Sequence, residues 1–408
     1  MGKLKQAVGK WVCGDEFWDR EADVELFIER VEAGGHLLLV AQRRMGKTSL
    51  MREVARRLQD SYICLFVDLQ KAKGGPDAVV ELGLAVHPHK SLWQKARGAL
   101  GSACTKALDR IEKIGGDEIA VTLRAGVTAG DWASKADRLL ATIAAAGTPV
   151  LLLLDEVPIM VNRLLRGRDG AVTAEGKRLA DEFLSWLRQN SIRHQGTIRM
   201  VLSGSIGLEP VLHQAGLSAT INTFEPFELR PWDESVARGC LQALANQYNL
   251  ELDEEVAVEM VDRLGCCIPH HVQLFFAQLR YRCVRAGRDR PVLADVEAAY
   301  EEDMLGSRGH AELTHYEERL RLVLGAEEFP LALEMLTEAS VTGRLTREAL
   351  EALQGRYALG EEPASEAEKR ILWILEHDGY LRPDEEGYAF VSTLLRDWWR
   401  RRHGSNYT

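Results

Sequence analysis

One segment constrains the fold of this chain more than any other: residues 41–48, Ala-Gln-Arg-Arg-Met-Gly-Lys-Thr. The segment 36–40 before it, a histidine followed by four apolar residues, is typical of a strand, and apolar residues at helical spacing occur in 49–58 after it. Strand, loop and helix in this order are the setting in which G-x-x-x-x-G-K-[ST] binds phosphate. The segment therefore predicts an α/β fold with a phosphate-binding loop, in which Ala41 replaces the first glycine of the motif.

The residue types of this loop suit the binding of ATP with magnesium. Gly46 allows the backbone to approach the phosphates, and the amide groups of the loop and of the helix start face them. We expect the Lys47 ammonium to bind the β- and γ-phosphates and the Thr48 hydroxyl to bind Mg²⁺. The predicted nucleotide-binding residues are Ala41, Gln42, Arg43, Arg44, Met45, Gly46, Lys47, Thr48 and Ser49.

A second motif follows the continuous apolar run 150–154, which is typical of a strand buried on both faces of a parallel sheet. We expect Asp155 to hold Mg²⁺ and Glu156 to polarise the attacking water as general base. A glutamate directly after the aspartate, and a further strand at 62–67 between the two motifs, favour an ATPase over a GTPase. The chain also contains no N-K-x-D sequence of the kind that reads guanine. Hydrolysis of ATP to ADP and phosphate is the predicted reaction.

One further catalytic role is predicted, with an alternative. Ser205 follows the strand-like run 198–202 and would lie beside the γ-phosphate as a polar sensor, or it only forms a turn.

Strand and helix patterns alternate through residue 230, and the pattern is all-helical from Pro231 through about residue 305. The alternation predicts a doubly wound parallel sheet with its ligands at the carboxyl ends of the strands. A short alternating stretch at 119–123 is interpreted as an inserted strand. The last section has helices followed by a hairpin-like segment, the order of a winged helix-turn-helix. The predicted domains are an α/β core at 1–230, a helical lid at 231–308 and a winged helix-turn-helix domain at 309–408.

Composition narrows the class of protein. The chain of 408 residues carries a net charge of −10, which argues against a protein that mainly coats nucleic acid. No apolar run reaches roughly 18 residues, and the N-terminus lacks the apolar core of a signal peptide. The seven scattered cysteines do not suggest a disulfide framework. We therefore expect a reduced, cytoplasmic protein that does not enter the membrane.

Several of these segments together resemble the archaeal-type P-loop ATPases of the AAA+/STAND clade, which includes the MalT and NACHT proteins. Residues 14–21 resemble their G-x-x-F-x-x-R-E lead-in, and residues 43–49 look like their R-R-x-G-K-T-S loop. Residues 202–207 are similar to their sensor strand. The segment from Gly265 to Pro269 resembles the lid element that meets the nucleotide, with a longer spacing than a strict G-x-P. The resemblance thus implies that Pro269 contacts the nucleotide.

The AAA+ proteins usually carry an arginine finger where this chain has residues 215–220, which contain no arginine. The resemblance therefore implies that Arg193 or Arg199 substitutes for it, and that hydrolysis is slow otherwise, because a finger contributes roughly 10³–10⁵ in rate.

The resemblance also implies a five-stranded core, a helical lid and a winged helix that reports the nucleotide state. Such proteins often act as signalling switches, some of them in regulation or in defence against phage. We therefore expect ATP binding and turnover to control a partner protein or further copies of the chain. Two alternatives are an ATP-regulated DNA-binding protein that uses its winged helix and an ATP sensor that does not hydrolyse its ligand.

The net charge of the C-terminal section helps to decide between the hypothesis of a switch and that of a DNA-binding protein. Residues 309–408 contain 19 acidic and 12 basic residues, a net charge of −7, which disfavours contact with phosphate backbones. Against this, Arg396 and the three arginines at 400–402 cluster around Trp398 and Trp399. These arginines equally suit the carboxyl end of a helix, so the sequence disfavours DNA contact without excluding it.

Overall fold

The computed structural model describes residues 4–101, 116–167, 170–356 and 364–407. The chain forms two compact units that are discontinuous in sequence. Unit 1 consists of Met1–Arg20, Ala41–Ser49 and Leu229–Thr408, and unit 2 consists of Glu21–Val40 and Leu50–Glu228.

Unit 2 is built on a five-stranded, all-parallel sheet, as the alternating pattern predicted. Its strands run in the order β2-β3-β4-β1-β5. Every residue of β3 is buried, which explains the continuous apolar run at this position. Because all the pairs are parallel, the carboxyl ends of the strands lie at one edge of the sheet. The strands are β1 (Leu37–Val40), β2 (Ile63–Asp68), β3 (Val150–Asp155), β4 (Ile198–Leu202) and β5 (Glu225–Glu228).

Helices connect these strands, as expected for parallel neighbours. Helix α2 starts in the loop segment of unit 1 and continues into unit 2. The helices are α1 (Glu21–Glu32), α2 (Lys47–Leu58), α3 (Gly75–Val86), α4 (Lys90–Ala96), α5 (Gly116–Gly126), α6 (Trp132–Ala144), α7 (Val157–Leu165), α8 (Ala174–Arg193) and α9 (Leu208–Ala215).

The predicted inserted strand at 119–123 is wrong, because these residues belong to helix α5. Ile119 and Leu123 are buried, whereas Val121 between them is 67% exposed. Residues four positions apart share one face of a helix, while the residue midway between them points away. Five residues are too few to separate this spacing from the alternation of a strand.

Unit 1 is helical between Pro231 and about residue 305, in agreement with the sequence pattern. Its first helices, which correspond to the predicted lid, are α10 (Glu234–Gln247), α11 (Glu254–Leu264), α12 (Pro269–Arg285) and α13 (Leu293–Ala298). Helix α12 is buried along much of its length, and Phe275, Phe276 and Leu279 lie in the core. No helix in the described part of the chain is both long and apolar enough to cross a membrane.

The C-terminal section of unit 1, residues 309–407, contains helices and a small antiparallel sheet of order β6-β8-β7. Its first helix departs from helical geometry at Gly325, where φ is 75° and ψ is −170°. The elements are α14 (Ser307–Thr342), β6 (Leu345–Thr346), α15 (Arg347–Arg356), α16 (Ala364–His377), β7 (Leu381–Asp384), β8 (Gly387–Phe390) and α17 (Thr393–His403). The predicted hairpin is therefore present and follows a run of helices, while the winged helix-turn-helix class and the three domain boundaries stay predictions.

Candidate functional site

The loop of residues 41–46 continues directly from β1 and ends where α2 begins at Lys47. The Lys47 side chain is buried and turns back over its own loop. Its Nζ donates hydrogen bonds to the carbonyl oxygen of Ala41 at 2.6 Å and to that of Gln42 at 2.9 Å. Gly46 has a φ of +92°, which favours glycine at this position. The ammonium group of the lysine predicted to bind phosphate thus lies against the first two residues of the loop.

The first turn of α2 carries the other predicted loop residues. Thr48 is partly buried, and Ser49 is buried. The Ser49 hydroxyl oxygen accepts a hydrogen bond from the backbone N–H of Val12 at 3.1 Å. The backbone N–H groups of a helix's first turn have no partner within the helix and are suited to an anion. The Ser49 hydroxyl oxygen thus ties the N-terminal lead-in to the start of α2, and the nucleotide contact of Ser49 stays a prediction.

The N-terminal lead-in also supports the loop through Arg20. This arginine is buried, and its Nη2 donates to the carbonyl oxygen of Met45 at 3.3 Å. Sequence reasoning used Arg20 only as part of a resemblance, and the contact supplies a physical reason for an arginine at this position. Within unit 2, Glu21 accepts a hydrogen bond from Nη2 of Arg57 at 2.7 Å, which ties the start of α1 to helix α2.

Asp155 and Glu156 stand at the carboxyl end of β3. Asp155 is buried and pairs in register with Asp68 of β2. Its Oδ1 accepts a hydrogen bond from the backbone N–H of Glu156 at 3.0 Å. Glu156 adopts a left-handed conformation, with φ of 58° and ψ of 28°, before α7 begins. The chain therefore turns sharply between the two carboxylates.

Ser205 lies next to Glu156, because β3 and β4 are neighbours and both segments follow the ends of these strands. Oε2 of Glu156 accepts hydrogen bonds from the backbone N–H of Ser205 at 3.0 Å and from its Oγ at 2.9 Å. A β-carbon at Gly204 would overlap Pro158, so this close approach needs a glycine. The γ-phosphate sensor role of Ser205 stays a prediction, while its hydroxyl contacts the predicted base.

Arg193 and Arg199, the candidate arginine fingers, lie near the amino ends of the strands, whereas Glu156 lies at their carboxyl ends. Arg193 ends α8, just before β4, and its Nη1 is 3.3 Å from Oδ2 of Asp137. Arg199 is in the first half of β4, and its Nε donates to the carbonyl oxygen of Val31 at 3.1 Å. Both are near the amino end of β4, whereas Glu156 follows the carboxyl end of β3. A finger role for either arginine therefore requires a second copy of the chain, and it stays a prediction.

The lid element from Gly265 to Pro269 combines a close contact with α17 and a buried helix start. Gly265 ends α11 with a φ of +65°, and a β-carbon there would overlap the side chain of Thr393. Pro269 is buried at the start of α12, followed by two histidines. Burial lowers the pKa of His270 and lowers that of His271 to about 3. The nucleotide contact of Pro269 stays a prediction, and Gly265 itself serves the close approach to α17.

Two contacts between the loop and the C-terminal section escaped sequence reasoning. Arg44 forms an ion pair with Glu312 of α14, and Nε2 of His270 lies 3.3 Å from the same carboxylate. His270 and Arg44 together lower the pKa of Glu312 to about 2. A β-carbon on Gly379 would overlap the side chain of Gln42. No local signal predicts such contacts, since Arg44 and Glu312 are 268 positions apart.

The arginine cluster of α17 is paired with carboxylates. Nε of Arg402 lies 2.7 Å from Oε2 of Glu317, and Nη2 of Arg401 lies 2.6 Å from Oε2 of Glu301. Arg400 approaches Asp397 at a longer distance of 3.6 Å. The other face of the helix is core: Leu394, Leu395, Trp398 and Trp399 are buried.

No family model and no curated protein matches the chain. Among solved structures, the chain is similar to the Walker-type ATPase of Pyrococcus abyssi, with a TM-score of 0.62 and 16% sequence identity, over 96% of this chain and 98% of that chain. It is also similar to the ORC2 protein of Aeropyrum pernix, solved as ADPNP-ADP complexes, with a TM-score of 0.52 and 12% identity over 95% of each chain. Identities this low establish the fold alone. The chain thus has the α/β fold of the AAA+-type P-loop ATPases, with a helical C-terminal part.

Proposed function

We propose that the chain binds ATP with magnesium at residues 41–48 and hydrolyses it as a nucleotide-controlled switch. The connectivity of the chain supports this proposal. The loop continues from the carboxyl end of β1, and the segments bearing Asp155, Glu156 and Ser205 follow the carboxyl ends of β3 and β4. In open α/β sheets, ligands bind at this edge.

Each proposed role fits the chemistry of the side chain. Lys47 binds the β- and γ-phosphates, and Thr48 and Asp155 supply the oxygen ligands that Mg²⁺ prefers. The metal, when bound, neutralises the charge that develops on the phosphates. Glu156 orients and deprotonates the attacking water. Arg193 or Arg199 of a neighbouring copy would raise the rate.

The contacts of Arg44 with Glu312 and of Gln42 with Gly379 carry the proposal of a switch. A ligand shifts a conformational equilibrium only through its differential affinity for the two states. Gln42 and Arg44 belong to the loop that would surround the phosphates, and both contact the C-terminal section. Nucleotide binding to the loop therefore favours one arrangement of these contacts over another. The readout is a partner protein or a further copy of the chain.

The variant Gly379→Ala tests the switch, because it changes a residue of the C-terminal section that lies against the loop. The added methyl group would overlap Gln42, and the φ of +77° adds strain. We expect release of Mg-ADP, measured with a fluorescent analogue in stopped flow, to become about tenfold faster, equivalent to about 1.4 kcal/mol. Gly343→Ala is the matched control, because Gly343 also has a positive φ, +93°, in the same section but has open space around it.

Two results identify the cause of this effect. In a Gln42→Ala background, Gly379→Ala should change the release rate no more than Gly343→Ala does, since the overlapping side chain is gone. Equal effects of Gly379→Ala and Gly343→Ala in the otherwise unchanged chain would contradict the coupling, because backbone strain alone would then explain them.

The two alternatives have less support. An ATP-regulated DNA-binding protein would need free cations on the C-terminal section, whereas Arg401 and Arg402 are paired with carboxylates. A sensor without hydrolysis would not need Glu156 held at the strand end by two donors. A cytoplasmic role in signalling or in defence against phage is proposed from the resemblance alone.

A further inference from the structure

Both hydrogen-bond donors of Ser205 point to a single oxygen of Glu156. The backbone N–H and Oγ of Ser205 donate to Oε2 at 3.0 and 2.9 Å. Within the described residues, Oε1 of the same carboxylate accepts no hydrogen bond. One oxygen is thus fixed and the other is open to a water molecule.

Backbone hydrogen bonds fix the positions of the two residues that make this contact. The N–H of Ser203 donates to the carbonyl oxygen of Leu154 at 2.9 Å, and the N–H of Val157 donates to that of Ser203 at 3.1 Å. These bonds join the ends of β3 and β4 on both sides of Glu156. The left-handed backbone at Glu156, uncommon for a residue with a β-carbon, is therefore held by its surroundings.

We propose that Ser205 is a positioning residue for the general base and not a reader of the γ-phosphate. This inference rests on the proposed ATP hydrolysis and deepens it. A serine hydroxyl has a single hydrogen to donate, and that of Ser205 goes to Glu156. A γ-phosphate oxygen, which is only an acceptor, cannot receive the same hydrogen. The two roles exclude each other while this contact lasts.

The chemical step assigns one task to each carboxylate oxygen. Oε2 stays bonded to Ser205, and Oε1 accepts a proton from the attacking water. The water oxygen forms a bond to the γ-phosphorus, while the bond from that phosphorus to the bridging oxygen breaks and its electron pair stays on ADP. The products are ADP and inorganic phosphate, and Oε1 then passes its proton to the phosphate or to solvent, which regenerates the carboxylate. Fixing Oε2 reduces the orientations that the base samples, which lowers the barrier to proton transfer without changing ATP binding.

The experiment compares Ser205→Ala with Ser205→Thr in steady-state ATP hydrolysis by the full chain. Loss of the hydroxyl should lower kcat about tenfold and leave KM for ATP within about twofold, since the interaction acts on the reacting state alone. Threonine keeps a hydroxyl and should restore most of kcat. Ser203→Ala is the matched control: Ser203 is buried two positions away, and its Oγ has no hydrogen-bond partner in the described part of the chain.

A double-mutant cycle with Glu156→Gln separates positioning from a structural or phosphate-reading role. If Ser205 acts through Glu156, Ser205→Ala should lower kcat no further once Glu156 is glutamine. An undiminished second loss, or a rise in KM with kcat unchanged, would overturn the inference.

ATP turnover by the wild-type chain and the variants distinguishes failure of the ATPase proposal from failure of the inference about Ser205. ATP turnover that needs Lys47 and Glu156 but is unaffected by Ser205→Ala would leave the ATPase proposal standing and overturn this inference alone. Turnover no higher than that of Lys47→Ala would overturn both.

Discussion

Lys47 and Arg44 stand three positions apart in the loop. Nζ of Lys47 donates to the carbonyl oxygens of Ala41 and Gln42, and Arg44 forms an ion pair with Glu312. Phosphate oxygens would give the Lys47 ammonium charged acceptors in place of these two neutral ones. Lys47 therefore stays the predicted phosphate ligand, and the ion pair of Arg44 links the loop to the C-terminal section.

Replacing Lys47 by alanine should abolish the stabilisation of the chain by Mg-ATP. If millimolar ATP is near 100 times Kd, it should raise the free energy of unfolding of the wild type by about 2.7 kcal/mol. Thermal shift with and without Mg-ATP measures the effect. Lys135→Ala is the control, since Lys135 also donates to a backbone carbonyl, that of Gly126, but belongs to α6.

The control should keep the full shift with Mg-ATP, and Lys47→Ala should lose it. An equal shift in both variants would place the nucleotide away from residues 41–48.

At the residue scale, the sequence placed Glu156 and Ser205 directly after two runs predicted as strands, but it did not predict that the two side chains contact each other. They meet because β3 and β4 are neighbours in the sheet. The partner of Arg44, in contrast, comes from a helix far along the chain. Nothing in the composition of α14 distinguishes Glu312 from the other carboxylates around it. Such a contact depends on tertiary packing, which one sequence does not determine.

At the scale of elements, a strand or helix was predicted correctly where its hydrophobic pattern was long and continuous, and wrongly where the pattern was short. The buried run 150–154 has one interpretation because it is continuous and ends at charged residues. In the stretch 119–123, the apolar residues fit both the alternation of a strand and the four-residue spacing of a helix face. The structure shows that these residues form a helix. The pKa values of the two histidines at the start of α12 also depend on a whole element, because burial of the first turn of this helix lowers them.

His271 predicts a pH dependence of stability. Its pKa is lowered to about 3 in the folded chain from 6.5, chiefly by burial, with His270 and Arg44 also lowering it and Glu312 opposing them. Because the unfolded chain takes up this proton first, the contribution is fully present above pH 6.5 and is lost as the pH falls towards 3. At about pH 5 the loss is on the order of 2 kcal/mol.

Denaturant unfolding between about pH 5 and 7.5 should therefore show a smaller pH slope for His271→Asn than for the wild type. His315→Asn is the control, because His315 is an exposed residue on α14. If the His271 variant and the wild type have the same slope, the buried histidine is not the source of the pH dependence.

For the whole molecule, the distribution of charge matters more than its total. The sequence predicted an acidic C-terminal section and left its arginine cluster with two interpretations. In the structure Arg401 and Arg402 are paired with Glu301 and Glu317, and the apolar face of α17 is buried. A surface that binds DNA presents cations without such partners to the phosphates. The pairing therefore favours the interpretation of the cluster as a helix end.

The last prediction concerns duplex DNA. Binding that depends on Arg400, Arg401 and Arg402 would release counterions, so log K should fall with log salt at a slope near −0.9 per phosphate contacted. We expect instead weak, non-specific binding at low salt that disappears near physiological salt, where such Kd values run about 10⁻⁴–10⁻⁶ M. Fluorescence anisotropy across a salt series measures both the affinity and the slope.

A second triple variant separates the position of these charges from their number. Replacing Arg178, Arg290 and Arg347 by alanine removes the same charge from exposed arginines that are also paired with carboxylates. If only general charge matters, both triple variants should weaken low-salt binding equally. A nanomolar complex near 150 mM salt, roughly a thousandfold tighter than non-specific binding and lost only without Arg400, Arg401 and Arg402, would establish the cluster as a DNA contact. The C-terminal section would then act on DNA, and the partner protein proposed for the switch would be unnecessary.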